Sequence, residues 1–182
     1  MLKWFAHRYI RKMERHYGYD ATYMHEMLDA SFSGFRRYMK MQMAARNWGG
    51  GAPLNAVAAA GIAGALVEDC GPCVQIGSDI AMENGMKGDV IRALLSGQPT
   101  DADAQLGFDY GRALLHGSAN LDDLREAIEM KWGKQALIAM SLQAMTSRNY
   151  PVIKRALGHA KTCQKVRIGT SEVAVNQALK AA

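Results

Sequence analysis

Two cysteines separated by two residues are the most chemically distinctive feature of this sequence. Cys70 and Cys73 enclose Gly71 and Pro72. Thiols at this spacing can close a disulfide with little backbone movement, and the proline limits the conformations of the intervening turn. The pair therefore indicates redox chemistry, in which one thiolate attacks a peroxide or a disulfide and the second thiol resolves the product.

The start of a helix would favour the reactive form of these thiols. Because proline suits the first turn of a helix, we predict a helix that begins at Pro72 and ends near Gly85. Unpaired N–H groups and the positive end of the helix dipole stabilise a thiolate there and lower a thiol pKa from about 8.5. Glu68 is the candidate for the group that takes the thiol proton, and Asp69 is a weaker one. Their negative charges could equally oppose thiolate formation, or both side chains could simply be solvated.

Zinc binding is the main alternative for two cysteines at this spacing. Structural zinc sites use about four Cys or His ligands, and this sequence has only one such pair. His159 and Cys163 lie one helical turn apart and could complete a site with Cys70 and Cys73. We favour the simpler interpretation, in which Cys163 is a lone thiol and His159 a surface side chain. We accordingly expect neither a metal nor another cofactor.

The elements that must position the cysteine pair are helices. Apolar residues recur at helical spacing over long stretches, whereas regular alternation is scarce. A chain of 182 residues has room for one core-forming domain, and no linker divides it. We therefore predict a single all-α domain. Its helices, besides that of the cysteines, are expected over residues 2–16, 21–47, 54–67, 90–95, 100–115, 120–132, 134–147 and 152–157.

Several of these helices carry side chains of a distinct kind. Small residues dominate 54–67 and permit close approach of neighbouring helices. The stripe within 21–47 is rich in methionine and aromatic residues, which is typical of a core. Its members are Met24, Met27, Leu28, Phe32, Phe35, Met39 and Met43. The apolar side of the first helix is expected to comprise Trp4, Phe5, Ile10 and Met13.

The net charge of +5 comes mainly from two segments of the chain. Five basic residues lie within 3–15, and no acidic residue occurs between Met130 and Ser171. We favour solvated helix faces over an anion-binding surface, since no nucleic-acid-binding motif is present. No apolar run reaches the length of about 18 residues that a membrane span needs. The early basic residues argue against a signal peptide, so we expect a cytoplasmic protein.

The residues around the cysteine pair resemble the AhpD-like, carboxymuconolactone decarboxylase family. In that family a helix leads into the two cysteines, and the next helix ends in an Ala-x-x-x-Gly pattern like that from Ala81 to Gly85. A short helix similar to residues 90–95 follows. The resemblance is most specific over residues 66–86 and extends more weakly over about residues 20–160.

This resemblance implies an all-α, AhpD-like helical domain over residues 1–182, with 1–19 as an N-terminal helical extension. It implies a thiol-dependent peroxidase or dithiol oxidoreductase of the alkylhydroperoxidase type, in which Cys73 attacks the peroxide and Cys70 resolves the product. A reducing partner protein would restore the thiols. Members of the family assemble as homo-oligomers, so a trimer or hexamer is implied.

Two positions differ from the peroxidase branch of the family. Gly77 stands where that branch usually has a histidine, and Ala58 stands where it has a glutamate. Either Glu68 replaces this proton relay, or the peroxidase activity is weak or absent. The alternative function is a non-catalytic helical homo-oligomer whose dithiol senses redox state or has a structural role.

The distribution of apolar residues also predicts self-association. The methionine-rich segment, the small-residue helix and the aromatic residues near the start carry more apolar surface than one small domain readily covers. Closed homo-oligomers commonly bury such surface. We therefore expect residues 1–47 to supply much of a subunit contact. The alternative is that they fold back over their own core.

Overall fold

The fold is all-α, as the composition and periodicity predicted. The computed structural model describes residues 2–45, 48–160 and 165–181, and within these ranges it contains nine α-helices and one two-stranded sheet. The α-helices are α1 (Leu2–Tyr17), α2 (Thr22–Ala30), α3 (Phe32–Gln42), α4 (Leu54–Val67), α5 (Gly71–Glu83), α6 (Gly88–Ser96), α7 (Ala102–His116), α8 (Leu121–Trp132) and α9 (Lys134–Ala156). The strands are β1 (Lys165–Ile168) and β2 (Ser171–Ala174), and short 3-10 turns cover Met43–Ala45 and Gln177–Lys180.

The small-residue helix α4 lies at the centre of the molecule, packed against α5, α7 and α9. Its neighbours approach so closely that a Cβ atom on Gly107 would lie 2.0 Å from the carbonyl oxygen of Ala56. On the other side, a Cβ atom on Gly64 would lie 2.3 Å from the carbonyl oxygen of Ala144. The predicted close approach is confirmed. Because α7 and α9 of the same chain cover α4, however, this helix is not the exposed apolar surface that was expected to favour subunit contact.

The predicted helix over 21–47 is wrong in one respect, because it is broken at Ser31. This residue is extended, with φ −155° and ψ 102°, and its hydroxyl accepts a hydrogen bond from the Gly34 N–H at 3.0 Å. Serine is a preferred capping residue, so Ser31 ends α2 and begins α3. The expected core stripe is confirmed at Met24, Leu28 and Phe35, which are buried, but it is wrong at Met43, which is 48% exposed.

The prediction of two helices on either side of Pro151 is also wrong. One helix, α9, runs through this buried proline. A proline removes one backbone hydrogen bond and crowds the preceding turn, but tertiary packing can outweigh that cost. Buried side chains on both sides of it, Ala144 and Lys154, hold the two halves in line. The helix α7 begins at Ala102 rather than at residue 100, because the Asp101 carboxylate caps it by accepting the Ala104 N–H at 2.9 Å.

A β-hairpin near the C-terminal end was not predicted. β1 and β2 are antiparallel, and Gly169, with φ +63°, lies in the turn between them. Val166 and Ile168 are buried, while the alternating neighbours Lys165 and Arg167 are exposed. The hairpin packs against α5 and α6. Alternation in β1 covers only four residues, the minimum for a strand signal, and β2 does not alternate regularly.

The first helix is only partly packed against the rest of its own chain. Ile10 is fully buried, but Trp4 is 54% and Phe5 is 58% exposed. Leu2 and Tyr9 are exposed as well, so α1 presents apolar side chains to the outside of the chain. None of the helices within the described ranges has both the length and the apolar character needed to cross a membrane.

Candidate functional site

The two cysteines lie at the start of α5, as predicted. Cys70 is the N-cap residue, with φ −107° and ψ 97°, and the helix begins at Gly71, one residue earlier than expected. The Cys73 N–H donates to the Cys70 carbonyl oxygen at 3.1 Å, which closes the first turn. Their Cα atoms are 5.3 Å apart and the sulfurs are joined in a disulfide. The local turn therefore suits the closing of a bond between the two thiols.

Both cysteines are shielded from solvent. Cys70 is 3% and Cys73 is 4% exposed, and both belong to a core cluster formed by α4, α5, α6 and the hairpin. Val166 and Ile168 of β1 are part of the same cluster. Attack on a disulfide or by a thiolate requires access to a sulfur atom. The pair can therefore react only with small reagents, or after the structure around it opens locally.

Gln75 fastens the hairpin to the helix of the cysteines. Its side-chain amide donates to the carbonyl oxygen of Arg167 at 2.8 Å and accepts the N–H of the same residue at 2.7 Å. The amide also donates to Asp79 at 3.0 Å. Because Val166 and Ile168 of β1 belong to the same apolar cluster as the cysteines, these bonds help to hold that part of the cluster in place.

Tyr19 is the polar side chain in contact with Cys73. It lies in the connection between α1 and α2, is buried, and places its hydroxyl oxygen 3.9 Å from the Cys73 sulfur. The Lys154 amine donates to the same hydroxyl at 3.3 Å. The structure thus forms a chain of contacts from Cys73 through Tyr19 to Lys154.

Lys154 is an unusual member of this site because it is only 2% exposed. A buried amine requires compensation for the water that it loses. Its nitrogen lies 4.5 Å from the ring centre of Tyr19 and 5.3 Å from that of Tyr23, which are favourable distances for a cation facing aromatic rings. Lys154 belongs to the basic stretch between Met130 and Ser171, for which solvated helix faces were expected, and that expectation is wrong for this residue.

Three buried tyrosines in this part of the molecule are protonated, namely Tyr19 and Tyr23, which contact Lys154, and Tyr38, whose hydroxyl accepts a hydrogen bond from Gln42. Burial raises the pKa of Tyr19 to about 12. Burial also raises the pKa of Tyr23 and that of Tyr38 well above their ordinary value. These hydroxyls therefore keep their protons near neutral pH and can act as hydrogen-bond donors.

Glu68, the predicted proton acceptor, is bound to two arginines. Its two carboxylate oxygens accept hydrogen bonds from Arg148 and Arg155 of α9, and the side chain is nearly buried. Burial opposes the charged form, but the hydrogen bonds from Arg155 and Arg148 outweigh it and hold the pKa of Glu68 below its ordinary value. These contacts favour a structural role at the end of α4, and a catalytic role for Glu68 stays a prediction. Asp69, in the left-handed region with φ +53°, pairs with Lys180.

The Glu68→Gln variant should be less stable than wild type by about 2 kcal/mol at neutral pH, because it weakens two charged hydrogen bonds. A lowered folded-state pKa adds stability above the unfolded value, here 4.5, and that stability is lost as pH falls through the folded pKa. The difference in unfolding free energy between wild type and Glu68→Gln should therefore shrink below about pH 4.5. Urea unfolding at several pH values measures it.

The matched control for this experiment is Glu172→Gln, which removes an exposed partner of Lys165. Exposed pairs contribute about 0–1 kcal/mol, so this variant should unfold close to wild type at every pH. Equal losses in the two variants, or a Glu68→Gln loss that stays constant down to acidic pH, would contradict the structural role of the Glu68 pairs.

The alternative zinc ligands are not assembled in the described part of the chain. His159 contacts Glu26 at 2.9 Å, and Cys163 lies outside the described residues. No group of three or more His, Cys, Asp or Glu side chains is placed to hold a metal ion within the described ranges. Gly77, where the resembling family has histidine, is open, since a Cβ atom there would meet nothing within 4 Å.

The chemistry available at the site comes from three kinds of group. The cysteine pair can gain and lose two electrons by opening and closing its disulfide. The Tyr19 hydroxyl can donate a proton beside Cys73, and the Lys154 amine can stabilise a charge on that hydroxyl.

No family model, no curated protein and no solved structure matches this chain.

Proposed function

We propose that this chain is a thiol-dependent peroxidase or dithiol oxidoreductase of the alkylhydroperoxidase type and a member of the AhpD-like family. The observation that carries the proposal is the Cys70–Cys73 disulfide at the start of α5, with the Tyr19 hydroxyl beside Cys73. The resemblance of residues 66–86, which include the two cysteines, to that family also supports it. Cys73 is the attacking residue in this proposal and Cys70 the resolving one.

The proposed reaction converts one hydroperoxide and two thiols into an alcohol, water and a disulfide. The Cys73 thiolate forms a bond to one peroxide oxygen, the O–O bond breaks, and the leaving oxygen takes a proton to become an alcohol or water. The Cys70 thiol then attacks the sulfenic sulfur, which releases water and forms the disulfide. A reducing partner returns two electrons and two protons to restore the thiols.

The burial of the pair limits the substrates that it would accept. A sulfur that is almost fully covered is accessible to hydrogen peroxide and small organic hydroperoxides sooner than to a folded protein disulfide. The reducing partner must reach the same atoms, so we expect reduction to require displacement of the hairpin or a small dithiol donor.

A turnover assay tests this function. Protein recycled by dithiothreitol should consume a small hydroperoxide in many equivalents per chain, faster than dithiothreitol alone. The Glu172→Gln protein, altered only at an exposed residue, should match wild type. Consumption at the background rate by fully reduced, folded protein would contradict the enzymatic proposal.

The burial of both sulfurs also favours a second candidate, a disulfide with a redox-sensing or structural role. In this case oxidation changes assembly or stability and peroxide turnover is slow. Size-exclusion profiles and thermal unfolding of the reduced and oxidised protein distinguish the two. Identical behaviour of both forms would contradict this candidate.

We further propose that the chain forms a homo-oligomer, a trimer or hexamer, through α1. The supporting observation is the exposure of Trp4, Phe5 and Tyr9 on this helix. A Phe5→Ser, Tyr9→Ser double variant should shift the mass measured by light scattering towards that of one chain, because interface core residues carry most of the association energy. Met130→Ser, which replaces an exposed apolar residue on α8, is the control and should leave the assembly unchanged.

Two outcomes would contradict this assembly. A single-chain mass for wild type at micromolar concentration would exclude the oligomer itself. An unchanged oligomer in the double variant would exclude α1 as the contact.

A further inference from the structure

We propose that Tyr19 is the catalytic residue that donates a proton to the leaving oxygen of the peroxide, and that Lys154 is the positioning residue that holds and polarises its hydroxyl. This inference rests on the proposed function of the cysteine pair. It assigns the proton donor of a chain that has Gly77 and Ala58 at the positions where the resembling family carries histidine and glutamate.

The hydrogen bonds of the Tyr19 hydroxyl determine the direction of its proton. This hydroxyl has one proton and two lone pairs, whereas a protonated lysine amine can only donate. The Lys154 bond at 3.3 Å therefore occupies a lone pair of Tyr19. The single proton must be directed elsewhere, and two acceptors within reach among the described residues are the Tyr23 oxygen at 3.5 Å and the Cys73 sulfur at 3.9 Å. A thiolate is the stronger acceptor of the two, so reduction of the disulfide turns this proton towards Cys73.

A negative charge appears on the Tyr19 oxygen when the hydroxyl gives up its proton. Burial raises the pKa of Tyr19 to about 12, so the proton is present at neutral pH and the isolated phenolate would be costly. Tyr150 and Asp20 add to that cost. The Lys154 amine, which donates to the same hydroxyl and is shielded from water, lowers that cost, because a hydrogen bond to the charged form of a group favours that form.

Atoms, protons and electrons balance in the resulting reaction. The Cys73 sulfur bonds to a peroxide oxygen, the O–O bond breaks, and the alkoxide formed takes the Tyr19 proton and leaves as alcohol. Attack of the Cys70 thiol on the sulfenic group then releases water. The Tyr19 phenolate recovers from solvent the proton that Cys73 released when it ionised. The peroxide is reduced by two electrons and the cysteine pair is oxidised by two.

The test measures the second-order rate constant for oxidation of the reduced protein by an alkyl hydroperoxide. Tyr19→Phe should lower this constant by about 100-fold, which is typical of the loss of a general acid. Tyr38→Phe removes a buried tyrosine hydroxyl that is bonded to Gln42 rather than to Cys73 or Lys154, and it is the matched control, expected to stay within about twofold of wild type. Thermal unfolding shows whether each variant is folded.

A change of leaving group separates acid catalysis from a structural effect. A peroxy acid releases a carboxylate, which needs no proton, so the Tyr19→Phe defect should nearly vanish with this substrate. Lys154→Met should show the same dependence on the leaving group, and Lys154→Arg should restore part of the rate, since it keeps the cation. Should Lys154→Met fail to fold, Lys154→Arg and Tyr19→Phe still decide the proposal.

The outcomes distinguish the two proposals. Loss of oxidation in Cys73→Ser, together with a Tyr19→Phe rate equal to that of Tyr38→Phe, would overturn the role of Tyr19 and leave the peroxidase intact. An equal Tyr19→Phe defect with both kinds of peroxide would also overturn it. Unchanged oxidation in Cys73→Ser would instead overturn the proposed function.

Discussion

Replacing Cys73 with serine is expected to reduce peroxide consumption to the rate of a solution without protein. The serine hydroxyl is a far weaker nucleophile than a thiolate, while its size and its place in the first turn of α5 are nearly the same. The fold should therefore survive and the reaction should not. Stopped-flow measurement of peroxide loss with the reduced variant checks this result.

The Cys70→Ser variant provides the matched control for Cys73→Ser. It lacks the resolving thiol but retains the attacking one, so it should consume about one equivalent of peroxide rapidly and then stop as a sulfenic acid. The opposite pattern, with one rapid equivalent in Cys73→Ser and none in Cys70→Ser, would reverse the two roles. Full turnover in both variants would contradict the involvement of the pair.

Replacing Gly107 with alanine is expected to be the most destabilising single-methyl change in the core. The new Cβ atom would meet the Ala56 carbonyl carbon at 2.7 Å as well as its oxygen at 2.0 Å. Both atoms belong to the backbone of α4, so a side-chain rotation cannot relieve the contact and the helices must separate. We expect a loss of at least about 3 kcal/mol, a large part of the stability of a typical domain.

The control for this substitution is Gly77→Ala in α5, where the added methyl group meets nothing within 4 Å. Alanine is a better helix former than glycine, so this variant should gain up to about 1 kcal/mol. Urea unfolding of both variants measures the difference. Equal stabilities of the two would contradict the close packing of α4 against α7.

The position of the cysteine pair could be predicted because its signals are local. Pro72 in the first turn and the small residues that precede it indicate a helix start after a packed helix, and both features are found. The continuity of α9 through Pro151 could not be predicted, since it depends on side chains buried on both sides of the proline. The hairpin escaped prediction because its strands have only four residues each.

The polar partners of the site could not be predicted because they come from distant parts of the chain. Tyr19 is separated from Cys73 by 54 residues and from Lys154 by 135 residues. A lysine in a basic stretch of sequence is predicted to be solvated. Only the tertiary fold places Lys154 against two tyrosine rings. The arginines that bind Glu68 are likewise 80 and 87 residues away from it.

In the proposed reaction a hydroperoxide converts the Cys70 and Cys73 thiols into a disulfide within one chain. Mass spectrometry of the reduced protein, treated with one equivalent of hydrogen peroxide and then digested, tests it most directly. We predict a product lighter by two hydrogen atoms, with a cross-link between Cys70 and Cys73 and with Cys163 still free. Two free thiols at Cys70 and Cys73, or oxygen added to either cysteine without a cross-link, would contradict the proposed oxidation of the pair to a disulfide.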